Sequence, residues 1–281
     1  MMNVEDIMQK DVVVGYVPGT VETALKTLAD HNISGMPILK KGTEKLVGVV
    51  TRTDIFRNAE EDQLAMVMSD DFYSLKKDDT IEKAAELFYK KRIHGLPVVG
   101  KNNTFLGLVS PNDLLKQLTK KNHEEFAAEY TNKLVVPVHI ETPINVIMEI
   151  INITGENALP VLDDQLKVAG IVTDGDLFKL SQIKEGISKS NMGIGDDEDQ
   201  WTWEGIRDTV RMYHATSEVE LPNIPVREVM VKKVKTATKN TPVCELAKTM
   251  LKKKITNIPI VNSKNRLKGM LSDLQLMRCM F

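Results

Sequence analysis

Apolar residues along this chain alternate between a strand-like and a helix-like spacing, and the alternation recurs four times. Branched and apolar runs at Val12 to Val14, Phe72 to Leu75, Leu134 to Ile140 and Val234 to Ala237 suit strands, because such side chains pack well on a pleated surface. A helix is predicted after each run, with Thr20, Thr80, Thr142 and Thr241 as N-cap oxygens. Pro143 and Pro242 would occupy the first helical position, where a missing amide hydrogen costs nothing. In the first helix Val21, Ala24, Leu25 and Leu28 fall on one face, and the four helices are expected to end near Asn32, Arg92, Gly155 and Lys254. Two short apolar strands follow, typified by Met36 to Leu39 and Leu46 to Val50, joined by polar hairpins such as Lys40-Lys41-Gly42 and Gly100 to Asn103. A second helix completes each unit.

The landmarks keep their spacing. Each opening Thr is followed by Pro37, Pro97, Pro160 or Pro259, and each proline by Gly48, Gly107, Gly170 or Gly269. The class is therefore α+β, with βαββα units at residues 1–60, 61–122, 123–183 and 223–281. A unit of about 60 residues buries little surface alone, so four units are expected to form two pairs. The last glycine interval, Gly170 to Gly269, is longer than the others and leaves an inserted segment, 184–222. That segment carries the acidic cluster Asp196 to Asp199, then Trp201 and Trp203, then Ile206, Val210 and Tyr213 at helical spacing. The two tryptophans are expected to cover the protein's own second pair of units.

Composition narrows the function. The chain has 281 residues, 42% of them hydrophobic, which suits packed cores rather than disorder. Its longest apolar runs, such as Leu134 to Val138, are far too short to span a bilayer, and Met1 to Lys10 carries Glu5 and Asp6 rather than a basic, then apolar leader. A cytoplasmic location without membrane insertion is the expectation. Cys244 and Cys279 have no companions at metal spacing and read as buried free thiols. A net charge of −2 with 5% aromatic residues argues against nucleic acid as the principal partner.

One polar constellation repeats. Gly48 to Asp54, Gly107 to Asp113 and Gly170 to Asp176 each spell Gly, two residues, a hydroxyl residue, two residues, Asp. The fourth copy, Gly269 to Gln275, closes on an amide. Thr or Ser followed at the third position by an acidic or amide residue is a capping box, so structure alone could account for one copy. A ligand reading uses the same geometry, since a carboxylate accepts two hydrogen bonds from a ribose diol beside a helix start that attracts phosphate. Ser272 and Gln275 retain the cap but lose the diol acceptor. No nucleophile, paired-carboxylate or metal-ligand arrangement stands out, so an enzyme is not expected.

These units resemble cystathionine-β-synthase-type (CBS) domains, which pair into Bateman modules, and the likeness covers nearly the whole chain. Four units with a longer segment before the last are similar to the γ regulatory subunits of AMP-activated protein kinase and their stand-alone archaeal relatives. The resemblance implies two modules forming a flat disk and adenine nucleotides bound in clefts between paired units. By motif position it assigns the ribose and phosphate roles to Thr51 with Asp54, Ser110 with Asp113, and Thr173 with Asp176. It assigns the adenine edge to Thr131 with Val136, Ser69 with Ser74, and Gln9 with Val14. Within Lys91-Arg92-Ile93-His94-Gly95-Leu96-Pro97 it nominates Arg92 and His94 for phosphate. Gly95 stands where an arginine would be expected and Thr256-Asn257 replaces a His-Arg pair, leaving Lys252, Lys253 and Lys254 as another basic group.

The resulting expectation is a non-enzymatic sensor of AMP, ADP or ATP, with no catalytic cofactor or metal, a downstream protein partner of unknown identity, and a homodimer as an open arrangement. Its rivals are a scaffold or nucleic-acid-associated protein and a sensor of S-adenosylmethionine.

Overall fold

Each repeat folds as a small sheet with flanking helices in a computed structural model that describes residues 2–31, 33–58, 61–120, 125–173, 175–177 and 224–281. The inserted segment 184–222 with its tryptophans and amphipathic helix lies outside the described residues, as do Asn32 and the carboxyl-terminal end of the third unit. In the first unit β1 (Gly15–Val17) leads through α1 (Val21–Asp30) to β2 (Gly35–Lys40). There β2 runs parallel to β1 and antiparallel to β3 (Leu46–Thr51), and α2 (Arg52–Arg57) leaves from the end of β3. The second unit follows the same order after a short α3 (Leu64–Val67), with β4 (Leu75–Lys76), α4 (Ile81–Lys91), β5 (Leu96–Val99), β6 (Phe105–Val109) and α5 (Pro111–Leu118). The third comprises α6 (Ala127–Tyr130), β7 (Val138–His139), α7 (Ile144–Thr154), β8 (Ala158–Leu162) and β9 (Val168–Thr173). The fourth keeps α8 (Val243–Lys253), β10 (Asn257–Val261), β11 (Leu267–Ser272) and α9 (Asp273–Leu276), with its first strand reduced to a bridge from Ala237 to Ile260. A register shift recurs at one place in every unit, directly after Ile38, Val98, Val161 and Ile260.

The helix signals were largely legible. The stripe Val21, Ala24, Leu25 and Leu28 is buried, and Thr20 and Thr80 accept from the third backbone amide of their helices, at 3.2 Å in both cases. Arg92, Gly155 and Lys254 end their helices in the left-handed region, with φ of 52°, 67° and 54°. Thr142 and Thr241 depart from expectation. Pro143 and Pro242 are still extended, with ψ of 145° and 141°, so the helices start one residue later. The two threonine hydroxyls turn back instead, accepting from the amides of His139 and Thr238.

The chain divides into two compact modules. One gathers Met1–Leu114 with Met280–Phe281, and the other gathers the described residues of 115–198 and 218–279. Units one and two thus form one pair, and units three and four the other. In the first pair the hairpin ends meet, with the Phe105 amide donating to the Glu44 carbonyl at 2.8 Å. Leu39, Leu46 and Val99 pack there with Val14, Phe72 and Phe105, so one apolar cluster joins the two sheets.

Within each module the units exchange their opening segments. Gln9 pairs with Leu108 of the second unit through both backbone bonds, at 2.8 and 2.9 Å, and Ser69 pairs likewise with Val49 of the first, at 2.9 and 3.0 Å. Asn132 pairs with Met270, and Val231 with Ile171, in the second module. This exchange explains why the first strands start later than their apolar runs predict: β1 begins only at Gly15, after Val12 to Val14, and β4 and β7 take up only the last part of theirs. Residues between Gln9 and Gly15, and their counterparts, carry the chain from the partner's sheet to its own and have no ladder of their own to join.

The exchange also explains the motif glycines, because the crossing segment runs over each one. A Cβ at Gly107 would lie 2.4 Å from the Gln9 carbonyl oxygen, and one at Gly269 would lie 2.5 Å from that of Asn132. Gly107→Ala is expected to destabilise the first module by about 1–3 kcal/mol in urea unfolding, as overpacking against backbone does. Gly95→Ala is the control: its Cβ would find nothing closer than 3.7 Å and should leave the midpoint unchanged.

Candidate functional site

The motif residues sit where β3, β6, β9 and β11 turn into helices. Thr51 donates its amide and hydroxyl to Asp54 Oδ2, at 2.9 and 2.6 Å, while the Asp54 amide donates back to Thr51 Oγ1 at 3.2 Å. Ser110 donates to Asp113 Oδ2 in the same way, at 3.0 and 2.7 Å, and Thr173 to Asp176 Oδ2, at 3.0 and 2.7 Å. The box is reciprocal at Thr51 and Thr173, whose hydroxyls accept from the Asp54 and Asp176 amides, whereas the Asp113 amide donates to the Ser110 carbonyl at 3.0 Å; in all three copies the cap engages one carboxylate oxygen. Oδ1 of Asp54 and of Asp176 has no hydrogen-bond partner among the described residues. Both residues are half-buried, and neither Oδ1 is among the fully buried side-chain oxygens left without a partner there, of which Glu82 Oε2 is the only one. Asp113 differs: it is 3% exposed, and its Oδ1 accepts from Gln9 Nε2 at 2.8 Å.

In the fourth copy the Ser272 amide donates to Gln275 Oε1 at 2.7 Å, and the Gln275 amide donates to Ser272 Oγ at 3.3 Å. The carbonyl half of the amide makes the cap, which leaves Nε2, a donor, where the other three units have an acceptor oxygen.

The segment exchange decides which residues meet. Ser69 lies against β3, which leads into Thr51 and Asp54, and Gln9 against β6, which leads into Ser110 and Asp113. Thr131 touches the glycine of the fourth unit, where its Cγ2 lies 2.3 Å from a built Cβ, so it belongs beside Ser272 and Gln275 rather than beside its own Asp176. Each assigned opening segment thus faces the motif of its partner unit. In strand register Thr131 corresponds to Met8, Met68 and Met230, each one residue before the bridge, whereas Gln9 and Ser69 are bridge residues themselves. Val14 packs in the apolar cluster between the sheets, Ser74 is exposed just before β4, and Val136 is half-buried two residues before β7. Arg92 and His94 are both exposed on the approach to β5, whose Leu96 pairs with Val109 directly before Ser110.

Sequence reasoning missed the segment beside Asp176: Met230 and Val231, followed by the exposed Lys232 and Lys233. The repeated methionine was its signal, since Met8, Met68 and Met230 all stand seven residues before the first pairing of their own sheets. Charge also separates the sites, with Asp70 and Asp71 following Ser69 beside Asp54. Neither thiol adds chemistry. Cys244 and Cys279 are free and half-buried rather than buried, and burial pushes the Cys279 thiol up to about 12, so it stays protonated at neutral pH. Among the described residues no group of three His, Cys, Asp or Glu could hold a metal, and no helix is long and apolar enough to cross a membrane.

Comparison with known proteins places the pattern. The CBS-domain model matches residues 4–61, 64–120, 127–182 and 226–281. An uncharacterised protein of Methanocaldococcus jannaschii, MJ1225, is 24% identical over 96% of this chain and 95% of its own. The crystal structure of MJ1225, described as a proposed archaeal homologue of γ-AMPK, superposes with a TM-score of 0.77 at 22% identity and full coverage of both chains. An uncharacterised conserved protein of Pyrococcus horikoshii superposes with a TM-score of 0.70 at 23% identity, again over both whole chains. Inosine-5'-monophosphate dehydrogenase of M. jannaschii is 30% identical over 47% of this chain, a stretch that makes up 26% of the enzyme.

Proposed function

Given that the chain belongs to the CBS-domain family, we propose that it is a non-enzymatic regulatory protein binding adenine nucleotides, AMP, ADP or ATP, at the motif carboxylates Asp54, Asp113 and Asp176. The observation that carries this reading is the division of labour within each carboxylate. One oxygen closes the cap, so the group is fixed in position before any ligand arrives, and at Asp54 and Asp176 the other oxygen remains as an acceptor for a ribose diol. The description of MJ1225 as a γ-AMPK homologue supports the same reading. Regulation would follow from linkage: a ligand held by both units of a pair favours one arrangement of that pair, and a partner reads it. Lys232 and Lys233 favour the more highly charged phosphates at the Asp176 site.

A second reading attaches to one site. Asp70 and Asp71 beside Asp54 disfavour phosphate and suit an adenosyl ligand carrying positive charge, such as S-adenosylmethionine. Calorimetric titration of the full chain with AMP, ADP, ATP and S-adenosylmethionine tests both. Micromolar binding of at least one nucleotide is the expected result. A flat titration with all four compounds overturns the proposal in favour of a scaffold whose motifs are helix caps only.

A further inference from the structure

The three carboxylates differ in one respect that the motif does not encode. Asp113 has both oxygens occupied, Oδ2 by the Ser110 cap and Oδ1 by Gln9. Gln9 is held from several directions. Its segment is docked on the second unit by Val4 and Glu5, whose amides donate to the carbonyls of Asp79 and Lys77, and by the buried Val4 and Ile7. Gln9 itself exchanges both backbone bonds with Leu108. This docked backbone places the exposed Gln9 side chain within reach of the adjacent motif, where its amide donates to Asp113 Oδ1. The residues in the same register at the other three crossings do nothing comparable. Ser69 donates to the Asp71 carbonyl, Asn132 accepts from the Leu134 amide, and Val231 has no polar group to offer.

Building on the nucleotide reading above, we infer that Gln9 is an affinity-setting residue, a built-in occupant of the Asp113 carboxylate that a ribose diol must displace. The Asp113 site therefore fills last, at ligand concentrations above those that fill Asp54 and Asp176, and the first module answers to a wider range of nucleotide concentration. The displaced bond is a neutral donor on a charged acceptor, the stronger kind of side-chain hydrogen bond, which sets the expected penalty at roughly tenfold in affinity.

The test isolates one site. In an Asp54→Asn, Asp176→Asn background, where AMP can use only Asp113, Gln9→Ala is expected to tighten AMP binding by roughly tenfold. Unchanged binding overturns the inference, and weaker binding does so too by making Gln9 a ligand contact. A ligand-free measurement stands beside it: with selectively labelled glutamine, the Gln9 side-chain amide should be protected from exchange in the native chain and lose that protection in Asp113→Asn. A freely exchanging Gln9 amide in the native chain would likewise remove the basis for the inference. If the native chain binds none of AMP, ADP and ATP, the nucleotide reading fails; if it binds a nucleotide but that binding ignores Gln9→Ala, only the role of Gln9 fails.

Discussion

Asp54→Asn is expected to weaken AMP binding at its own site by about a hundredfold while leaving unfolding within about 0.5 kcal/mol of the native chain. The two halves of this result come from different oxygens. Asparagine keeps a carbonyl oxygen that can accept from the Thr51 amide and hydroxyl, the same service that Gln275 performs for Ser272. What it loses is the second acceptor: an amide nitrogen would face the ribose hydroxyls in place of Oδ1. Two hydrogen bonds to a charged group are then replaced by at most one to a neutral group, which at about 1.5 kcal/mol each gives the stated loss. Calorimetry with AMP and urea unfolding of the same sample check both halves together. Unfolding shifted by several kcal/mol with AMP binding intact would show that the carboxylate is there for the cap alone.

The largest stability effect should come from Phe88→Ala. Phe88 is fully buried and shares the inner face of α4 with Ile81, Ala84 and Ala85. Two of those neighbours are alanines, so the aromatic ring supplies the largest single volume on that face and little can collapse into the space it leaves. A loss of about 3–5 kcal/mol is expected, the range for emptying an aromatic site in a packed core. Denaturant titration followed by circular dichroism measures it, with the exposed Tyr73→Ala as the comparison that should shift by less than about 1 kcal/mol. Since α4 also ends at Arg92, the same variant should weaken nucleotide binding in the first module if that end of the helix approaches a phosphate.

The family was legible because its marks are local. The stripe on α1, the Thr20 and Thr80 caps, the prolines of the sheet and the capping boxes at Thr51, Ser110, Thr173 and Ser272 each depend on residues within a few positions of one another, so spacing alone exposes them. Thr142 and Thr241 misled because a following proline can be read either as the first helical residue or as the last extended one. Their hydroxyls follow the second choice.

Chain sequence by itself determined the four βαββα units, the pairing that such small units require, and the loss of an acceptor at Gln275, since each is written in residue type and short-range spacing. Only the tertiary structure decided which opening segment meets which motif. Residues distant in sequence are joined there by backbone bonds, Gln9 to Leu108 and Asn132 to Met270, and backbone pairing between distant segments leaves no periodic trace. It also decided that three identical carboxylates are unequal, because the second oxygen of Asp113 is filled by a side chain more than a hundred residues away, while those of Asp54 and Asp176 have no hydrogen bond among the described residues.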